Sequence, residues 1–152
     1  MKQAEVSASA YIDASPETVY AFIADYREKH PRMLPARYLR DLRVEAGGTG
    51  AGTRIRFTVT GLGPAREMTA EIEEPVPGRV LAERNVADGG VTTFTVDPEH
   101  AGSLVTIQAT WTPRGLRGFI ERLLVPRFLR KVFRAQLDQL REVIAETRPA
   151  KL

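Results

Sequence analysis

Near the start of the chain Val6, Ala8, Ala10 and Ile12 alternate with Ser7, Ser9 and Tyr11, the period of a strand with one buried face. A first strand ending at about Ile12 is expected. Ser15, Pro16 and Glu17 follow: a hydroxyl that can cap a helix, a proline suited to the first helical position, and an acid that complements the helix dipole. These predict a helix carrying Val19, Tyr20, Phe22 and Ile23. Residues 29–35 include Pro31 and Pro35, so this stretch reads as a bent connector with room for no more than a short helical turn.

From Leu39 to Trp111 short stretches of period two are separated by glycine- and proline-bearing turns, the pattern of an antiparallel meander. Ile55, Phe57 and Val59 alternate with Arg54, Arg56 and Thr58, and Met68, Ala70 and Ile72 with Thr69, Glu71 and Glu73. Phe94 and Val96 oppose Thr93 and Thr95, and Val105, Ile107, Ala109 and Trp111 oppose Thr106, Gln108 and Thr110. Each strand therefore has a dry and a wet face. The segment from Arg79 to Val86 has no clean phase.

After Pro113 the period becomes helical. At steps of about 100°, Leu116, Phe119, Ile120, Leu123 and Leu124 share one side, whereas Leu129, Val132, Phe133, Leu137, Leu140 and Ile144 lie nearly opposite. The stripe changes face at Pro126. A proline inside a helix costs about 3 kcal/mol, so the pattern predicts a short helix to Leu124, a break, and a long helix from about Pro126 to Glu146.

The 152 residues suffice for one domain without disulfides or metals, and the apolar and charged fractions, 43% and 27%, are those of a globular chain. With no cysteine, thiolate chemistry and sulfur-ligated zinc are excluded. The opening residues lack the apolar core of a signal peptide and no run approaches a membrane span, so a cytoplasmic protein is expected. Net charge is only +3, yet seven basic residues against one acid fall between Arg114 and Arg134.

The segments Ala10-Tyr11-Ile12-Asp13-Ala14-Ser15-Pro16-Glu17-Thr18-Val19-Tyr20 and Phe133-Arg134-Ala135-Gln136-Leu137-Asp138-Gln139-Leu140-Arg141, with the element order between them, resemble the START-like (helix-grip, Bet v 1-like) superfamily, in particular its bacterial polyketide cyclase/dehydrase and lipid-transport group. The resemblance covers nearly the whole chain. It implies an α+β fold, a curved antiparallel sheet of about seven strands around a long C-terminal helix, formed by residues 1–147 with a tail at 148–152. It also implies a cavity between sheet and helix for lipids, polyketides or other apolar ligands, without an invariant catalytic motif. Such folds host many activities, so the site must decide.

Inward-phased candidates for a ligand-binding wall are Phe57, Val59, Met68, Phe94, Ile107 and Trp111 from strands and Phe133 and Leu137 from the helix. Any one of them alone is more economically a core residue; only the set points to a cavity. Tyr26, His30 and Tyr38 around the connector, and Arg66 and Arg84 in the sheet, could orient a ligand, with His30 and Tyr26 the candidates for acid–base work in a cyclase or dehydratase. A lone loop histidine is ordinarily solvated, and a strand-end arginine ordinarily snorkels to water. No metal-ligand spacing, cofactor motif or nucleophile elbow is present, and Gly47–Gly52 lacks the lysine and the following helix of a phosphate loop. A non-catalytic binder of a hydrophobic small molecule is the leading expectation. The basic segment 114–134 is most economically a short helix packed over one open end of the sheet with its arginines in water; as alternatives it could form a lid over the pocket, dock a partner protein, or meet an anionic membrane surface through Arg117, Arg122 and Arg127. It lacks the interleaved aromatics of a nucleic-acid binder, and either a monomer or a homodimer is compatible with the pattern.

Overall fold

The computed structural model describes residues 3–113 and 117–147, with side chains from residue 123 onward in the second stretch. Strand β1 (Ala4–Ile12) is followed by helix α1 (Pro16–Ala24), where the Ser15 side chain accepts the Thr18 N–H at 3.2 Å and Pro16 occupies the first turn. The connector contains one 3-10 turn, His30–Met33. Six further strands complete the meander: β2 (Leu39–Ala46), β3 (Arg54–Val59), β4 (Arg66–Val76), β5 (Val80–Asn85), β6 (Val91–Glu99) and β7 (Gly102–Trp111). They form one seven-stranded antiparallel sheet in the order β1-β7-β6-β5-β4-β3-β2. The architecture is an α+β helix-grip fold.

Because β1 and β2 are the two edges, α1 and the connector must cross the open side of the sheet. Register shifts between Arg40 and Arg43 and between Glu73 and Val76 are bulges, with Asp41 at φ 57° inside the first. An extra residue on one strand bends it, and these two bends help to curl the β2–β4 side of the sheet. On the outer face Glu45, Glu67 and Glu71 bind Arg54, Arg56 and Arg43 in a ladder of exposed ion pairs, which together keep that face wet.

Helix α2 runs from Arg117 to Glu146 with Pro126 inside it. The expected break is therefore corrected. Proline removes one intrahelical bond and crowds the preceding turn, and this penalty is local; Val132, Phe133, Leu137, Leu140 and Ile144 are all buried further along the same helix and fix its direction. Leu123 and Leu124 are exposed, at 50% and 47%, so the apolar side before the proline does not continue the core stripe. The expectations for Leu116, Phe119 and Ile120, and for Arg117 and Arg122, concern side chains outside the described residues.

The helix holds the connector through Gln139, whose Nε2 donates to the carbonyls of Arg32 at 2.8 Å and Leu34 at 2.9 Å. These two bonds join residues more than a hundred positions apart and set the height of the 3-10 turn above the sheet. Substituting Gln139→Ala is expected to lower unfolding stability by about 1–2 kcal/mol, since each lost hydrogen bond contributes about 1 kcal/mol; urea denaturation monitored by circular dichroism checks it, and an unchanged midpoint would show that the clamp contributes nothing.

Candidate functional site

The inner face of the sheet and helix α2 leave two adjoining cavities, of about 270 Å³ and about 150 Å³. The larger opens between β3–β7 and the N-terminal half of α2; the smaller lies deeper, against the connector. Phe57, Val59, Met68, Glu83, Thr92, Phe128 and Leu129 line both. A molecule entering the larger space thus meets a wall that is also the ceiling of the smaller one.

Glu83 is the unusual member of that wall. On β5 the inner positions are Leu81, Glu83 and Asn85, because Arg84 points outward to Glu73 at 3.1 Å and strand side chains alternate. The Tyr26 hydroxyl donates to Glu83 Oε2 at 2.5 Å, and His30 Nε2 stands 3.7 Å from the same oxygen. His30 is stacked on Tyr26 with ring centroids 4.2 Å apart and meets Phe94 edge-on. Its Nδ1 lies 2.7 Å from the Ile23 carbonyl oxygen. A carbonyl only accepts, so Nδ1 carries the proton and a neutral His30 turns the lone pair of Nε2 toward Glu83. Glu83 Oε1 has no partner among the described residues.

Burial governs the titration of all three groups. It pushes the Glu83 carboxyl up to about 7, the Tyr26 hydrogen bond opposing it weakly, and pushes His30 down to about 4 against the pull of the Ile23 carbonyl. Tyr26 is held well above its ordinary range by burial and then by Glu83. Among the described residues no cation neutralises the carboxylate, so near neutral pH Glu83 exchanges a proton while Tyr26 and His30 do not.

The loop Gly47–Gly52 positions this cluster from behind. Gly48 accepts the Tyr26 N–H at 2.9 Å and Gly50 donates to Ala24 at 3.0 Å, while Glu74 takes the Tyr20 hydroxyl at 2.6 Å and the Ala51 N–H at 2.8 Å. The loop closes the end of α1 as a β2–β3 hairpin turn.

The residues expected at a ligand wall divide. Phe57, Val59 and Met68 line both cavities, Arg66 and Trp111 the larger, and Phe94, Phe133 and His30 the smaller. Ile107 and Leu137 are fully buried core residues that line neither. Tyr38 also lines neither; it packs edge-on against Phe128 beneath the Arg37 guanidinium. Tyr26 is completely buried behind His30. His30 is 1% exposed, correcting the solvated reading: the connector is roofed by Gln139 and walled by Tyr26. Arg84 faces outward and is not part of the cavity. Trp111 Nε1 is buried without a hydrogen-bond partner. Glu83 was missed because a glutamate in a strand reads as a wet-face residue; the lost phase of 79–86 was its signal. Among the described residues no group of three or more His, Cys, Asp or Glu side chains could hold a metal, and no helix is long and apolar enough to cross a membrane.

A sequence model of the family described as polyketide cyclase / dehydrase and lipid transport matches residues 3–145. The chain belongs to this family. The protein named KanY, known from a solution NMR structure, superimposes with TM-score 0.82 at 29% identity, over 95% of this chain and 99% of that one. The crystal structure of a protein from Thermus thermophilus gives 0.76 at 24% identity, over 95% and 100%. A START superfamily protein from Mycobacterium smegmatis gives 0.73 at 14% identity over 95% and 99%, a likeness of fold alone. No curated protein sequence matches the chain.

The raised Glu83 pKa sets a direction for stability. The folded state holds this proton more tightly than the unfolded state, so its contribution to stability is full below about pH 4.5 and is lost as pH rises through about 7. His30 acts oppositely, its contribution being lost as pH falls from 6.5 through about 4. Glu83→Gln deletes the first effect only. Its stability relative to the parent is expected to rise by up to about 3 kcal/mol between pH 4.5 and 8, read from urea midpoints across that range; a flat difference would mean that Glu83 titrates as an ordinary carboxyl.

Proposed function

We propose that the protein binds or carries an apolar small molecule in the space between sheet and helix α2, with a polar end of the ligand seated against Glu83. The observation that carries this reading is the pairing of an apolar, aromatic-walled cavity with a largely buried carboxyl whose Oε1 has no partner among the described residues. Concave apolar spaces with few convergent polar groups are the usual form of small-molecule sites. Asn85 and Trp111 support it: Asn85 Oδ1 accepts the Ala87 N–H at 2.9 Å but its Nδ2 reaches only the Met68 sulfur, at 3.8 Å, and Trp111 Nε1 has no acceptor among the described residues. A ligand oxygen would satisfy either donor. Lipids, polyketides and similar oxygenated apolar molecules fit this lining.

A second reading, an enzyme of cyclase or dehydratase type, is favoured by the same carboxyl. An acid–base group is most effective when its pKa lies near the working pH, and Glu83 meets that condition with Tyr26 donating to it and the lone pair of His30 turned toward it. His30 and Tyr26 then serve as positioning residues rather than as the proton carriers first expected.

Native mass spectrometry of the purified protein is expected to detect a co-purifying small molecule, and the fluorescence of 1-anilinonaphthalene-8-sulfonate is expected to rise on its binding in the cavity. Met68→Trp, which puts an indole into the wall shared by both spaces, is expected to weaken dye binding at least about tenfold, the loss of about 1.4 kcal/mol, while leaving the circular dichroism spectrum intact. Undiminished dye binding by this variant would remove the ligand from the cavity. Turnover by wild type but not by Glu83→Gln of a ligand so recovered would decide for the enzyme.

A further inference from the structure

Between Leu123 and Arg134 helix α2 has two faces with opposite chemistry. Val125, Phe128, Leu129, Val132 and Phe133 line the cavities. At 3.6 residues per turn, Leu123, Leu124, Arg127, Arg130, Lys131 and Arg134 fall within an arc of about 120° on the other side, and all six are exposed. None of the four cations makes an ion pair among the described residues, in contrast to the sheet's outer face, where Arg43, Arg54, Arg56, Arg79 and Arg84 each have an acidic partner. Acids return to this side of the helix only at Asp138 and Glu142.

The apolar end of the stripe lies at the cavity. Val125, beside Leu124, lines the larger space, as does Leu62 in the β3–β4 turn, itself 38% exposed. That turn abuts the helix: a Cβ added at Gly61 would stand 3.0 Å from the Phe128 ring, and Phe128 is one helical turn beyond Leu124. Leu62 and Leu124 therefore form an exposed apolar rim beside the cavity, continued around the helix by Leu123 and along it by four cations without an ion pair among the described residues.

We propose that this face docks on an anionic lipid bilayer, with the leucine rim entering the headgroup region and Arg127, Arg130, Lys131 and Arg134 meeting the lipid phosphates and carboxylates. Charge complementarity selects a polyanionic surface. The leucines select a bilayer among polyanions, because a nucleic acid or an acidic peptide offers them nothing apolar at the same plane, whereas interfacial helices combine these two features. Apposing the rim to a membrane places the opening where an apolar ligand is concentrated and spares that ligand a passage through water. Apart from Leu62, the residues of this surface lie outside the cavity wall, so a test made on the helix residues does not depend on what fills the cavity.

Co-sedimentation of the full chain with phosphatidylcholine vesicles, with and without phosphatidylserine, tests the proposal. Binding is expected only with phosphatidylserine and is expected to fall with added salt. A juxtamembrane cation facing an anionic leaflet contributes a factor of about five, so Arg127→Gln with Arg130→Gln should weaken partitioning roughly 25-fold, and Leu123→Ser with Leu124→Ser should also weaken it. Both variants should fold and take up 1-anilinonaphthalene-8-sulfonate as the parent does, being exposed and outside the cavity. Absence of vesicle binding, binding indifferent to phosphatidylserine, or parental binding by either variant overturns the proposal. So does heparin binding of equal strength that the leucine substitutions leave untouched, which would assign the stripe to another polyanion.

Discussion

One helix cannot cover seven strands. At about 4.8 Å per strand the sheet is roughly 30 Å wide, against the 10–12 Å diameter of a helix with its side chains. Curling brings the inner face around α2 but does not remove the mismatch. The helix lies closest to β1 and the 3-10 turn, where Leu137, Leu140 and Ile144 fill the core, and the uncovered remainder falls toward its other end, over inner-face residues of β2–β7. Both cavities lie in that remainder. Their position follows from where the helix is anchored, by its C-terminal apolar stripe and by the Gln139 clamp on the connector.

Within that uncovered region the chain places polar groups where packing alone would have called for apolar ones. A buried carboxyl without a cationic partner is costly, and Glu83 responds by holding its proton to a higher pH, not by finding a counter-charge. The neighbouring histidine could have supplied one. Its Nδ1 proton is committed to the Ile23 carbonyl and its burial disfavours the cation, so the cluster stays neutral in one state and singly negative in the other. A proton held at the wall of an apolar space is available to whatever occupies that space.

Strand phase made most of the sheet legible, because β3, β4, β6 and β7 each bury one face against the core. The capping serine and proline likewise located α1. Two features escaped for one reason, that tertiary packing overrode a local rule. Pro126 is tolerated within α2 because the residues beyond it are locked in the core, and period analysis alone cannot weigh that anchorage against a local penalty. On β5 the inner face is Leu81, Glu83 and Asn85, so the hydropathy signal vanished where the site is. The outward Arg84 still held the information, since in a strand its neighbours must face the other way. His30 was legible as a residue near the cavity but not as buried, since the groups that enclose its ring include Phe94 and Glu83, distant from it in sequence, and Tyr26, hidden behind it.

The difference between a packing defect and a site lies in these polar atoms. An apolar void surrounded by satisfied groups would lower stability through lost contacts and lost transfer energy and would select a guest only by size and shape. Here Glu83 Oε1, Asn85 Nδ2 and Trp111 Nε1 share one lining and lack strong partners among the described residues. Trp111 Nε1 is already stripped of water before any ligand arrives, and the Glu83 side chain is only 13% exposed. A ligand that supplies the missing partners therefore gains hydrogen bonds without the full cost of stripping water from the protein side, while its apolar body covers Phe57, Met68 and Phe128. On the proposed reading of the site, the same unsatisfied groups that weaken the empty protein would favour oxygen-bearing apolar molecules over plain hydrocarbons.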